Sequence, residues 1–136
     1  MGKIVTIDHN GKVYSGEIAV IKSSSLGIED HGILTAMIDC RWDGGGIGVG
    51  GYRLDKGGCA PDYKSEGSAY GLDQIMQIMD VVGVNKWEAL KDKQVIVLFD
   101  KSSGWGSPAV GIANLLNDKV LIFEDHAQTW RDREVK

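Results

Sequence analysis

The sequence predicts an α+β fold: a mainly antiparallel sheet of about six or seven strands, one amphipathic helix and a short second helix. Three observations carry this. Alternating apolar and polar segments recur along the chain, most are joined by hairpin-type turns, and one stretch alone keeps a strong helical period. Nothing resembles an alternating βαβ series, an internal repeat or a linker, so residues 1–136 read as a single domain with a polar tail from about residue 124.

Lys3 to Asp8 alternates as a strand. His9-Asn10-Gly11-Lys12 follows, and Asn-Gly between alternating segments signals a tight hairpin because both central residues need positive φ. Val13 to Ile21 is the partner strand. Ser23-Ser24-Ser25 breaks the pattern, and Gly27 to Gly32 reads as a polar loop holding Glu29, Asp30 and His31. Ile33 to Trp42 is β-like again. A turn at Asp43-Gly44-Gly45-Gly46 leads into a returning strand, Ile47 to Leu54. On that strand Ile47, Val49, Gly51 and Arg53 share one face, and Gly48, Gly50, Tyr52 and Leu54 the other.

Lys56 to Ser68 reads as loop. Gly71 to Val82 is the clearest helix: Leu72, Ile75, Met76, Met79 and Val82 follow helical spacing, and Gly83 stops it. Asn85-Lys86-Trp87-Glu88 has a capping side chain with Glu three residues on, which opens a short second helix. Gln94 to Phe99 is a buried-type strand, and Lys101 to Pro108 a Gly/Ser loop carrying Trp105. Ala109 to Leu116 and Val120 to Phe123 form a last hairpin, and the tail is polar apart from Trp130 and Val135.

Composition narrows the function. Lys plus Arg number 15 against 19 Asp plus Glu, a net charge of −4 that disfavours polymeric nucleic acid as a partner. No apolar run reaches the roughly 18–20 residues of a membrane span, and Met1-Gly2-Lys3-Ile4-Val5 has no signal-peptide core, so the expectation is a cytoplasmic protein without membrane contact. Cys40 and Cys59 read as reduced thiols.

The chain holds 19 glycines, twice the usual share of about 7%. Eight of them lie between Gly44 and Gly58. Gly46-Ile47-Gly48-Val49-Gly50-Gly51 satisfies the G-x-G-x-x-G string, yet no helix follows to present free N–H groups to a pyrophosphate, so no dinucleotide cofactor is expected. Glycines inside a strand serve a bend, a close approach of backbone, a second subunit or a ligand on bare main chain. Arg41, Trp42, Tyr52 and Arg53 flank them, with residue types suited to pairing phosphate and stacking a base. Trp105, between two glycines, is a further candidate ligand contact. Asp39, Cys40, Cys59 and Asp62 form no zinc pattern, so no metal is expected. Templates for nucleophilic catalysis are missing.

Glu29-Asp30-His31-Gly32-Ile33, Gly45-Gly46-x-Gly48-x-Gly50-Gly51-Tyr52-x-Leu54-Asp55, Gly67-x-Ala69-Tyr70-Gly71 and Gly83-Val84-x-x-Trp87-Glu88 form an ordered series. It spans about residues 13 to 98 and resembles a group of small proteins of bacteriophages and prophages. That resemblance implies an accessory protein of the host bacterial cytoplasm. The chain also looks somewhat like the Thoeris anti-defence sponge proteins, which hold a cyclic ADP-ribose isomer without catalysis. It implies a homo-oligomer that sequesters a small cyclic nucleotide signal without catalysis. The resemblance transfers no site; residue type and position alone mark Arg41, Trp42, Tyr52 and Arg53 as ligand contacts, with Trp105 as a lid contact, and no catalytic residue.

The alternative is a protein–protein inhibitor of a host defence nuclease, gathering Glu29, Asp30, Asp39 and Asp43 on one face in place of phosphates. A hydrolase using Asp30 and His31 is the third reading.

Overall fold

The computed structural model describes residues 4–29, 33–55, 67–100 and 108–134. Seven antiparallel strands form one sheet: β1 (Ile4–His9), β2 (Lys12–Glu29), β3 (Ile33–Trp42), β4 (Gly45–Gly50), β5 (Gln94–Asp100), β6 (Gly111–Ala113) and β7 (Val120–Ile122). The spatial order is β4-β3-β2-β5-β6-β7, with β1 also on β2. Two helices, α1 (Ala69–Val82) and α2 (Phe123–Glu134), and a 3₁₀ turn at Trp87–Leu90 complete it. The α+β expectation therefore holds.

The first hairpin forms as its turn chemistry requires. Asn10 and Gly11 take φ of 52° and 77°, and His9 pairs with Lys12. β2 departs from expectation, because the triple serine does not end it. The strand shifts register between Ile21 and Ser23 and then continues to Glu29 against β3. One extra residue in a ladder bends a strand without terminating it. β2 thereby spans the sheet, holding β1 and β5 with its first half and β3 with its second.

Alternation sorts the side chains into two layers. Ala19, Ile21, Ile38, Cys40, Val49, Val95, Val97, Ile112 and Leu121 face Ile78 and Val81 of α1 and Phe123 of α2. Tyr14, Ile96, Leu98, Ala113 and Ile122 form a smaller cluster on the other face. Burial, then the neighbouring charge of Asp39, pushes the Cys40 thiol up to about 12.

α1 begins two residues before the expected Gly71, with an unforeseen cap at Ser68, and Gly83 stops it as expected. Ser68 Oγ accepts from Gly71 N at 2.9 Å, and Gly83 (φ 92°) donates to Met79 O at 2.8 Å. The buried face is another matter. Gly71, Gln74, Ile78 and Val81 point inward, while Leu72 and Met76, expected in the apolar stripe, are 62% and 57% exposed. Gly71 sets this rotation, since its missing Cβ lets the helix lie directly against the Leu54 carbonyl. The second helix begins after Lys86 rather than Asn85 and has no side-chain cap. The polar tail is α2. Glu124 and Asp125 stand in its first turn and Arg131 and Arg133 in its last, the arrangement that suits the helix dipole. Among the described residues no helix is long and apolar enough to cross a membrane.

Candidate functional site

The glycine strand is a packing device. Arg41 crosses over Gly46, Met37 lies over Gly48 and Gly51, and the Trp42 indole lies on Gly45. A Cβ on Gly48 would stand 2.8 Å from Met37 Sδ, and one on Gly50 2.5 Å from Ala36 O. Gly50 and Gly51 also take φ of 108° and 79°, and this bend inverts the alternation that β4 began. Ile47 and Val49 face the core, yet Arg53 two positions past the bend is exposed and Leu54 is fully buried. The expected sharing of one face by Val49 and Arg53 is thus undone by two positive-φ residues.

The four flanking candidates do not converge. Arg41 forms a two-point ion pair with Asp39 (Nε–Oδ1 3.0 Å, Nη2–Oδ2 3.1 Å) on the outer face. Trp42 turns the other way, packs against the α1-facing cluster and meets Phe99 edge to face at 6.3 Å. Tyr52 leans on Phe123 at 5.2 Å. Arg53 stands beside Leu34, since Leu54 N donates to Leu34 O and Leu34 N to Asp55 Oδ2. Arg41 lies seven residues along β3 from there, roughly 20–25 Å at strand rise. Trp105, Asp30 and His31 lie outside the described residues, as does Cys59.

Arg53 instead joins a cleft of about 410 Å³ lined by Asp55, Ser68, Tyr70, Ala127, Trp130 and Arg131. That volume is within the range of small-molecule sites, roughly 300–1,000 Å³. Each wall has a local cause. Asp55, its side chain 2% exposed, accepts from Arg53 Nε at 2.7 Å and holds the half-exposed guanidinium at the rim. Ser68 donates to Leu54 O while capping α1, which fixes the helix start beside the Arg53 strand. Tyr70 accepts from Gln74 Nε2 at 3.0 Å, and its ring lies 5.2 Å from that of His126. Burial is the main cause that raises the Tyr70 phenol, so its O–H stays a donor at neutral pH.

The α2 wall is equally anchored. Asp73 accepts from His126 Nε2 at 2.7 Å and from Trp130 Nε1 at 3.0 Å, tying α2 to α1. Burial pushes the Asp73 carboxyl up. The bonds from His126 and Trp130, the His126 charge and Gln77 outweigh it and hold the group below its ordinary value. Arg133 covers one face of Trp130 at 4.3 Å, which leaves the rest of the ring to line the cleft. Arg131 is held by Glu124 (2.7 Å) and Gln128. Two guanidinium groups, a phenol and an indole thus meet around one opening, an arrangement suited to an anionic ligand with a planar ring.

Of the acid–base groups that line it, Asp55 is engaged by Arg53 and by Leu34 N, and the Tyr70 oxygen by Gln74. The Ser68 hydroxyl is committed to its cap, and His126 has one nitrogen on Asp73 and the other, Nδ1, buried without a partner. No group of three or more metal-type side chains gathers among them either.

The sequence reading named Arg53 but missed Tyr70, Trp130 and Arg131. The available signal was the spacing of His126, Ala127, Trp130 and Arg131, which puts all four on one side of a helix. No protein-family model, curated protein or solved structure matches the chain.

Proposed function

We propose that the protein binds a small cyclic nucleotide signal in the α1–α2 cleft and holds it without catalysis. The convergence of Arg53 and Arg131 with Tyr70 and Trp130 carries this reading. Arginines pair phosphate, and the aromatic rings stack a base. Carboxylate and amide partners hold both guanidinium groups in place before a ligand arrives, which lowers the ordering cost of binding. In a bacteriophage or prophage setting such binding withdraws an immune signal from the host, the role of an anti-defence sponge. Arg41, Trp42 and Tyr52 do not line this cleft; Tyr52 packs on Phe123, the first residue of α2.

The acidic-mimic alternative gains no support from the described carboxylates. Of the carboxylates it names, Asp39 is paired with Arg41 at 3.0 Å, and Asp30 lies outside the described residues.

Thermal unfolding with cyclic ADP-ribose isomers and cyclic di- and trinucleotides tests the proposal. A ligand at a hundred times its dissociation constant adds about 2.7 kcal/mol of stability. For a domain of this size that raises the midpoint by about 10 °C. The ligand recovered after heating should be intact. No shift with any of them overturns the reading, and recovery of a cleaved product overturns its non-enzymatic part.

A further inference from the structure

The second half of β2 has an edge that no described strand occupies. β5 follows β2 from Tyr14↔Asp100 only to Val20↔Gln94. Backbone bonds from Ile21 to Lys93 (2.8 Å) and from Asp92 to Ile21 (2.7 Å) close that seam. β3 holds the opposite edge onward to Glu29. Among the described residues no backbone partner stands on the β5 side of Ser23–Glu29, which makes this edge a template for another strand. Natural edges are commonly blunted with lysine, proline or a bulge. Here those devices stop at the Ile21/Ser23 irregularity, and Ser23 to Ile28 is uncharged.

The same stretch exposes apolar side chains on one face. Leu26 pairs with Ala36 and Ile28 with Leu34, so both lie on the face that is buried at Ala36 and Ile38. They are nevertheless 44% and 60% exposed. The outer edges of β1, β4 and β7 carry no such exposed large apolar side chain among those described.

We infer that Ser23–Glu29 pairs antiparallel with the same segment of a second copy of this chain, extending the sheet across a two-fold axis. Isologous pairing asks the segment to complement itself, and it does. The segment is flanked by Lys22 and ends in Glu29, so antiparallel pairing sets the basic end of one strand beside the acidic end of the other. A parallel arrangement would set like against like. Centred on Leu26, the pairing places this residue opposite its counterpart. Leu26 and Ile28 of both copies then form one apolar patch of four side chains on a single face. Ile28 is linked to the cleft residue Asp55 through Leu34, yet neither Leu26 nor Ile28 lines the α1–α2 cleft, so oligomeric state and ligand binding are read independently.

Sedimentation equilibrium of the full chain and of Leu26→Lys/Ile28→Lys tests the inference. The unaltered chain should sediment as a dimer. The double variant should be monomeric, its dimer weakened at least about 100-fold, with an unchanged circular dichroism spectrum. Leu72→Lys/Met76→Lys, on the exposed side of α1, should leave the dimer intact.

Should the Leu26/Ile28 variant not fold, Leu26→Cys in a Cys59→Ser chain gives an independent reading. Its thiol should oxidise to a covalent dimer in high yield, because opposed residues of antiparallel strands have a Cα spacing within disulfide reach. A Leu72→Cys control should not. A monomeric unaltered chain, a dimer insensitive to the Leu26/Ile28 change, or equal cross-linking by both cysteines would overturn the inference.

Discussion

The β3–β4 hairpin and the α1–α2 cleft lie at opposite ends of what the sequence advertises. The hairpin is compositionally loud, with six glycines from Gly44 to Gly51 between arginine and aromatic residues. Its glycines accommodate neighbouring side chains and bend the chain. The cleft is compositionally quiet, built from a serine cap, a tyrosine and a helix of low apolar content. It is the place where cationic and aromatic groups converge. An unusual composition marks unusual backbone, and a binding site is a matter of convergence. The two regions meet at Gly50–Gly51, whose bend sends Arg53 outward to the cleft and Leu54 into the core.

Substitutions should separate the regions, and the largest effect belongs to the hairpin. Gly50→Ala sets a Cβ 2.5 Å from Ala36 O at a φ of 108°, so it should cost about 3 kcal/mol in urea unfolding. The cleft should show the converse. Arg53→Ala/Arg131→Ala should abolish the nucleotide-induced melting shift of about 2.7 kcal/mol. The Arg131–Glu124 pair is exposed and contributes little, but loss of Arg53 takes its cation from the buried Asp55 side chain, so the free protein should lose about 1–3 kcal/mol.

A smaller effect is expected at the α1–α2 clasp. Asp73→Asn weakens the acceptor of His126 and Trp130 and should cost on the order of 1–2 kcal/mol at neutral pH. The Asp73 carboxyl lies below its ordinary value in the fold, so its stabilisation is complete above about pH 4 and fades as pH falls further. The Asn variant should therefore lose less stability than the parent on acidification through that window. Gly67→Ala, with open space around its Cβ position, should change stability by less than about 0.5 kcal/mol. Of the two thiols, Cys40 should resist alkylation until the protein unfolds, being fully buried with its thiol pushed up to about 12.

Much of the sheet was legible because its signals are local. Asn10-Gly11 dictates a hairpin, and Gly83 stops α1 by taking the left-handed conformation. The errors share one cause, contacts between residues distant in sequence. Ser23-Ser24-Ser25 reads as a break, yet β3 holds these residues as strand. Leu72 and Met76 read as core, but close packing of Gly71 on Leu54 turns the helix away from them. α2 lacks the apolar stripe that marks a helix, because polar ties from His126 and Trp130 to Asp73 do much of its docking. For the same reason Arg53 was identifiable as a residue type, while its partners, 78 positions away at Arg131, were not.

The most direct test is a nitrogen–proton correlation experiment that follows the indole and guanidinium signals during titration with the cyclic nucleotide giving the largest melting shift. The account predicts that the Trp130 indole and the Arg53 and Arg131 Nε–H signals move together and saturate, while those of Trp42 and Arg41 stay in place. Movement of Trp42 and Arg41 with the Trp130, Arg53 and Arg131 signals unmoved would contradict it and return the site to the glycine hairpin.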